Sequence, residues 1–415
     1  MSVARVTMQG MVNSEYEVRA ATADEHDQFA ALFGAAMMFE SAPGDLDREL
    51  FEPERALVAV DGDQFVGTAK AMTRDLSVPG AVVPAAHITA VGVKATHRRR
   101  GILSSLMSRQ LREVPEALAV LWASEPGIYG RFGYGPAAWG VSYEADLRNI
   151  KPYPVTSGAG RLEEVPAEDA AGQLAPMLRG LQEKRPGVSG RSELEWRRRL
   201  EDKPDHRGGK TARHILVHRD EAGGLDGYAL WRGKLSWGPA GPANEVTVEE
   251  FVALEPNAYH ALWHHLLTLD LAGKLEYGHG ALDEPLQQLV TNPLALTRRL
   301  GESLWVRITD VGRALEQRRY ATSVDVVIEV TDDLIKTNNG RYRLTGDTEQ
   351  ATCEPTESAP DVSLSVRELS AAYLGGRALS EFAATGRVTE NTAGALNALT
   401  AALRWPVAPV SIEVF

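Results

Sequence analysis

Two hydrophobic periods alternate along the first third of the chain, and the places where one gives way to the other predict the order of its elements. Thr22 and, three residues later, Glu25 make a capping-box pair, after which Phe29, Leu32, Phe33, Ala36 and Met37 recur at the spacing of one helical face. An amphipathic first helix is expected there. Residues 56–60 and 64–71 read as strands joined through the turn Asp61-Gly62-Asp63, and 87–93 as the next strand. Ile102, Leu103, Leu106, Met107, Gln110 and Leu111 predict a helix over 101–113, and 118–123 returns as a buried strand.

Beyond Asp146 the pattern breaks at Lys151-Pro152-Tyr153-Pro154, and the prolines and glycines through Gly160 predict a linker with a boundary near 155. From 156 to 305, helical and strand-like segments alternate again, at 167–183, 192–201, 214–218, 228–231, 245–253 and 257–272. This region reads as a second, degenerate copy of the first. From 306 to 415 the character changes: 323–330 and 341–344 alternate around the turn Asn338-Asn339-Gly340, and 362–366 leads into an apolar helix. The expected fold class is therefore α/β for the first two regions, each a mixed central sheet with flanking helices, followed by an α+β region.

Length agrees with that division, since 415 residues exceed what one hydrophobic core of roughly 250 to 300 residues serves. The net charge of -12 argues against nucleic acid as a partner and suits a cationic or polyamine substrate. A single cysteine, Cys353, excludes an intramolecular disulfide and reads as a buried, inert thiol. Met1 to Tyr16 lacks the continuous apolar centre of a signal peptide and no stretch is long enough to span a bilayer, so a cytoplasmic protein is expected, although leaderless export would leave no mark.

Candidate chemistry is concentrated in Val91-Gly92-Val93-Lys94-Ala95-Thr96-His97-Arg98-Arg99-Arg100-Gly101-Ile102-Leu103, a β-branched strand running into three arginines, a glycine and an apolar helix. Backbone N–H groups at a helix start are unpaired and sit at the positive end of the helix dipole, so a pyrophosphate gains hydrogen bonds and field there. The order of parts resembles the cofactor-binding core of the GNAT acyltransferases, with Leu103 where the usual loop has glycine or alanine. His97 to Leu103 is similar to the version found in the enhanced intracellular survival (Eis) family. A second segment, Ala123-Ser124-Glu125-Pro126-Gly127-Ile128-Tyr129-Gly130-Arg131-Phe132-Gly133-Tyr134-Gly135-Pro136, resembles that family's other signature, departing from it at Pro126, where glycine is more usual.

The resemblance implies tandem GNAT-like domains, a catalytic acetyl-CoA-binding one over 1–155 and a degenerate one over 156–305, followed by a sterol carrier protein-like domain over 306–415. It implies an acetyl-CoA-dependent N-acetyltransferase that acts on a small-molecule amine, of aminoglycoside or other polyamine type, and assembles as a homohexamer. The backbone of Val91, Gly92 and Val93 would hold the pantetheine and thioester oxygen. Arg99, Arg100, Gly101, Ile102, Leu103 and Ser104 would surround the pyrophosphate, with Arg98 reaching the outer phosphate and Ser124 and Glu125 lining the cofactor's path. Tyr129 would be the proton donor, a phenol of reference pKa near 10 matched to a thiolate, and Tyr134 the competing phenol. As base, the resemblance implies the α-carboxylate of Phe415, delivered by a strand-like segment 410–415; its reference pKa of about 3.3 to 3.7 would have to be raised by burial for it to act as a base. Relatives carry an acid next to last. Here that position is Val414 and the acid is Glu413, a candidate substrate contact with Phe39 and Glu40.

Other motifs are read as structural. Arg197-Arg198-Arg199 lies within a helical pattern without a glycine and reads as a charged helix face, and the glycines from 127 to 135 miss the GxGxxG spacing. His260, His264 and His265 include an i, i+4 pair but no catalytic glutamate, so no metal is expected. A second class of function also fits the last region: a non-catalytic lipid- or partner-binding protein built on the sterol carrier-like fold.

Overall fold

The computed structural model describes residues 16–155, 160–239 and 241–415. Apart from Tyr16, the N-terminal segment read above for a signal peptide lies outside them, as does part of the expected linker. The described residues form two compact bodies, one of 16–72 with 87–115, the other of 73–86 with those from 116 onward.

In the first body, β1 (Glu17–Ala20) pairs antiparallel with β2 (Ala56–Asp61), and β2 with β3 (Gln64–Val78), beside which runs β4 (Ala81–Val93). Strands β3 and β4 extend beyond 71 and before 87 and so run through both bodies. The helices are α1 (His26–Met37), the short α2 (Asp45–Glu49) and α3 (Ile102–Glu113). The reach-back half of the expected capping box is present: the Glu25 carboxylate accepts from the Thr22 N–H at 2.9 Å, and Arg19 pairs with it, holding it down at about 2. One apolar cluster of Leu57, Ala59, Val66, Ala69, Ile102 and Leu106 seats α3 on the sheet. Gly67 makes that seat possible, since a Cβ there would stand 2.6 Å from Ile102 Cγ2.

The second body contains β5 (Leu118–Trp122), α4 (Pro126–Tyr129), β6 (Gly135–Pro136), β7 (Trp139–Asp146), β8 (Arg161–Glu164), α5 (Ala167–Lys184), α6 (Glu193–Leu200), β9 (His214–Arg219) and β10 (Leu225–Lys234). A two-stranded ribbon, β11 (Trp237–Gly238) and β12 (Gly241–Pro242), precedes β13 (Asn244–Ala253), α7 (Pro256–Leu267), β14 (Ala272–Ala281), β15 (Leu296–Glu302) and β16 (Leu304–Ile308). A seven-stranded sheet runs in the order β15-β7-β14-β13-β10-β9-β8, with β13 and β14 parallel and joined by α7. Two strands cross over between the repeated cores: β7 lies between β14 and β15, while β16 pairs antiparallel with β5 and also with β6. The helix expected over 257–272 stops at Leu267. Thr268 turns its hydroxyl back onto the His264 carbonyl, and Leu271 adopts a left-handed φ of 63° before β14 begins.

The last region has α8 (Val311–Glu316), β17 (Val324–Thr331), β18 (Gly340–Gly346), β19 (Ala351–Pro355), β20 (Val362–Ser365), α9 (Val366–Ala372), α10 (Leu379–Ala383), β21 (Val388–Glu390) and α11 (Ala395–Leu403). Its five-stranded sheet runs β19-β18-β17-β20-β21 and shares one core with Val120, Val306 and Ile308. Cys353 is buried in that core and its thiol is pushed up to about 12 by burial. Residues 410–415 do not form the strand expected of them. Their anchors are side chains rather than a sheet edge, as described below.

Candidate active site

In the first body, β4 ends in an irregular stretch shaped for a backbone-binding ligand. Ala90 sits at φ 51°, a conformation that costs a non-glycine residue about 1–3 kcal/mol. Its carbonyl accepts from the buried Thr68 hydroxyl at 2.9 Å, which holds the kink in place. Val91 and Val93 stay half-buried on either side of buried Gly92. The Lys94 N–H closes the strand on the Val66 carbonyl at 2.9 Å, and the chain then enters the arginine run.

Arg98, Arg99 and Arg100 are all exposed. Arg100 donates to the Tyr16 hydroxyl at 2.9 Å and Arg98 reaches the Ala36 carbonyl at 3.3 Å. Arg99 is left-handed at φ 63°, and Gly101 occupies the N-cap of α3 at φ 82°. Among the described residues no side chain caps α3. Gly101 therefore serves two needs: it takes a backbone conformation that costs other residues about 1–2 kcal/mol, and it leaves the N–H groups of Ile102, Leu103 and Ser104 approachable. These features fit a pyrophosphate. Phe39 and Glu40, at the end of α1, are exposed, and Phe39 meets Phe33 edge-on at 5.7 Å.

The second body holds the other candidates. After β5, the Ile128 N–H bonds to the Glu125 carbonyl at 3.0 Å and the single turn of α4 brings Tyr129 inside, 6% exposed. Burial raises the Tyr129 phenol above 10, a hydrogen bond with Ser124 opposes that, and the Glu125 charge adds to the rise. Tyr134 stands edge-on to it at 6.0 Å. Fully enclosed, with its hydroxyl unpartnered, Tyr134 is driven up much further by burial, against the nearby charge of Arg307. Of the two phenols Tyr129 is the less enclosed. The glycines around it are close-approach positions: a Cβ on Gly130 would lie 2.9 Å from the Arg367 guanidinium carbon, and one on Gly135 2.6 Å from the Ala371 N.

Phe415, like Trp122, packs partly buried against the core that contains Val120, Val306 and Ile308. The Ser411 hydroxyl accepts from Trp122 Nε1 at 3.0 Å and donates to the Glu413 carbonyl at 3.0 Å. The Glu413 carboxylate is held between Arg74 at 2.5 Å and Arg191 at 2.7 Å. Burial alone would raise that carboxyl, but the Arg191 and Arg74 charges outweigh it and keep it below the ordinary range. Arg199 departs from the expected solvated arginine face, turning inward to Glu250 at 2.9 Å while Arg197 and Arg198 stay exposed. Among the described residues no group of three or more His, Cys, Asp or Glu side chains is placed to hold a metal ion, and no helix is long and apolar enough to cross a membrane. His260 is engaged with the Tyr153 carbonyl at 3.0 Å.

Two stretches of the chain match acetyltransferase (GNAT) domains, residues 17–137 and 187–308, and a third, 311–411, matches the sterol carrier protein domain. The N-acetyltransferase Eis of Mycobacterium tuberculosis is 32% identical over 371 residues, covering 86% of this chain and 88% of its own. The chain belongs to the Eis family of GNAT N-acetyltransferases. An uncharacterized N-acetyltransferase of Streptomyces avermitilis is 41% identical over 379 residues, 88% of this chain and 90% of its own. The crystal structure of Eis1 from Mycobacterium abscessus superposes with a TM-score of 0.81 at 32% identity, over 96% of this chain and all of that one. The tandem GNAT-like cores followed by a sterol carrier-like domain are thus confirmed as the fold, and the protein is an acetyltransferase, which sets aside the non-catalytic alternative. Membership in the GNAT superfamily implies use of acetyl-CoA.

Ala90 and Arg367 are not legible in the sequence. An alanine carries no signal of a strained strand, and Arg367 lies more than two hundred residues from the loop it backs.

Proposed function

We propose that the protein acetylates primary amines of small polycationic molecules, aminoglycosides or other polyamines, by direct attack of the amine on the thioester of acetyl-CoA. The cofactor supplies an activated acetyl group; everything else is done by the chain. The backbone of Val91, Gly92 and Val93 orients the pantetheine, and Arg98 to Ser104 bind the phosphates. The Tyr129 hydroxyl gives its proton to the leaving sulfur as the C–S bond breaks, and Ser124 and Glu125 border the cofactor's path. The α-carboxylate of Phe415, directly or through a water, takes the proton that the amine loses as the C–N bond forms. Phe39 and Glu40 contact the amine substrate. The observation that carries this reading is Tyr129 itself, a phenol kept protonated by burial, hydrogen-bonded to Ser124 and followed by Gly130, against which Arg367 packs closely.

The same reading, resting on the family resemblance and on a net charge of -12 that favours cationic acceptors, makes the protein a cytoplasmic homohexamer. The test compares wild type with Tyr129→Phe and with deletion of Phe415, using spermine and neomycin as acceptors. Tyr129→Phe lowers kcat by about 10²- to 10⁴-fold with the KM for acetyl-CoA nearly unchanged. Deletion of Phe415 cripples turnover without changing the melting transition. Full activity of either variant removes that residue from its role.

A further inference from the structure

The second GNAT-like core lacks an arginine-flanked loop, yet it contains a densely paired set of buried charges. Glu250 on β13 is completely buried, and its two oxygens accept from Arg191 Nη1 and Nη2 at 2.8 Å each, from Arg199 Nε at 2.9 Å and from the Tyr228 hydroxyl at 2.6 Å. The Arg191 side chain, 1% exposed, lies over the Trp196 ring and extends its charge to Glu413. Arg74, in the part of β3 that belongs to this body, approaches Glu413 from the other side and is itself held by Glu195 at 2.8 Å and the Gly190 carbonyl. Stability is a poor explanation for such an arrangement. Buried ion pairs seldom outperform well-packed apolar residues, and their better-attested use is to specify one geometry.

The geometry specified is that of the chain's last residues. Arg185 donates to the Ala408 carbonyl at 2.6 Å, Asp283 accepts from the Ala408 N–H at 2.9 Å, and the Val410 N–H bonds to the Pro186 carbonyl at 2.9 Å. Val410, Ser411 and Ile412 are then buried, Glu413 is clamped, and Val414 emerges 64% exposed. Glu413 is the last anchored side chain before Phe415.

We propose that Arg74 and Arg191, braced by Glu195 and Glu250, form a carboxylate receptor whose internal ligand is Glu413, and that the degenerate core thereby fixes the position of Phe415. Glu413 is accordingly a positioning residue. Its effect on turnover rests on the reading of the Phe415 carboxylate as base; the anchor itself does not.

The test uses the full chain, with carboxypeptidase Y and mass spectrometry following release of Phe415 alongside steady-state kinetics. Glu413→Gln removes the carboxylate that the two arginines share, so Phe415 is released at least about tenfold faster than from wild type, with kcat lowered and the KM for acetyl-CoA unchanged. Arg74→Met, which removes one arm only, provides the same readout should Glu413→Gln fail to fold. Release at the wild-type rate from a folded variant overturns the anchor. Faster release with undiminished turnover keeps the anchor and instead removes the terminal carboxylate from catalysis.

Discussion

At the scale of single residues, the candidate site depends on backbone conformations and burial more than on unusual side chains. Gly101 announces itself because glycine after an arginine run and before an apolar helix has few other uses. Ala90 does not, since its φ of 51° and its bond from Thr68 arise from strand pairing that no local pattern encodes. Tyr129 was legible from its motif, but its environment was not. Because burial raises its phenol above 10, the protonated form required of an acid persists across neutral pH. The alkaline limb of kcat/KM should therefore lie above about pH 10. A limb near pH 8 or 9 that disappears in Tyr129→Phe would contradict that assignment.

At the scale of elements, segments governed by their own sequence were read well. The first helix, the hairpin through Gly62, α3 and the long α5 all fall where periodicity and turn residues place them. What escaped depends on distant partners. Nothing in 139–146 says that this strand joins the second sheet, nor in 304–308 that it pairs with β5, because both have the alternation or apolar run of any sheet strand. The terminal segment was expected as a strand for the same reason, and its actual partners, Arg74 and Arg191, lie more than two hundred residues earlier. The glycines following Tyr129 miss the GxGxxG spacing, and in the structure Gly130 and Gly135 admit the close approach of α9. Gly135→Ala should lower stability by roughly 1–3 kcal/mol, seen as a reduced melting temperature, since its Cβ would face backbone 2.6 Å away. An unchanged melting temperature would mean that α9 can retreat freely.

At the scale of the molecule, the second body buries carboxylates against arginines, and this shapes its response to acid. Glu250 and Glu413 are both held below the ordinary carboxylate range, burial opposing and arginine charges prevailing. A carboxylate whose folded pKa is depressed contributes stability above its unfolded value, about 4.3, and loses it as pH falls toward the folded one. The melting temperature should thus stay level from pH 8 to 5 and drop below about pH 4, with a shallower drop in Glu413→Gln by calorimetry. An equal drop in both would remove Glu413 from the acid response.

The central claim is transfer of an acetyl group from the thioester to an amine. The most direct measurement follows free thiol and acceptor mass together while wild-type protein is given acetyl-CoA with spermine or neomycin. The account predicts one thiol released for each acetyl gained by the amine; thiol release without acetylated amine, or no release with any acceptor, would contradict it.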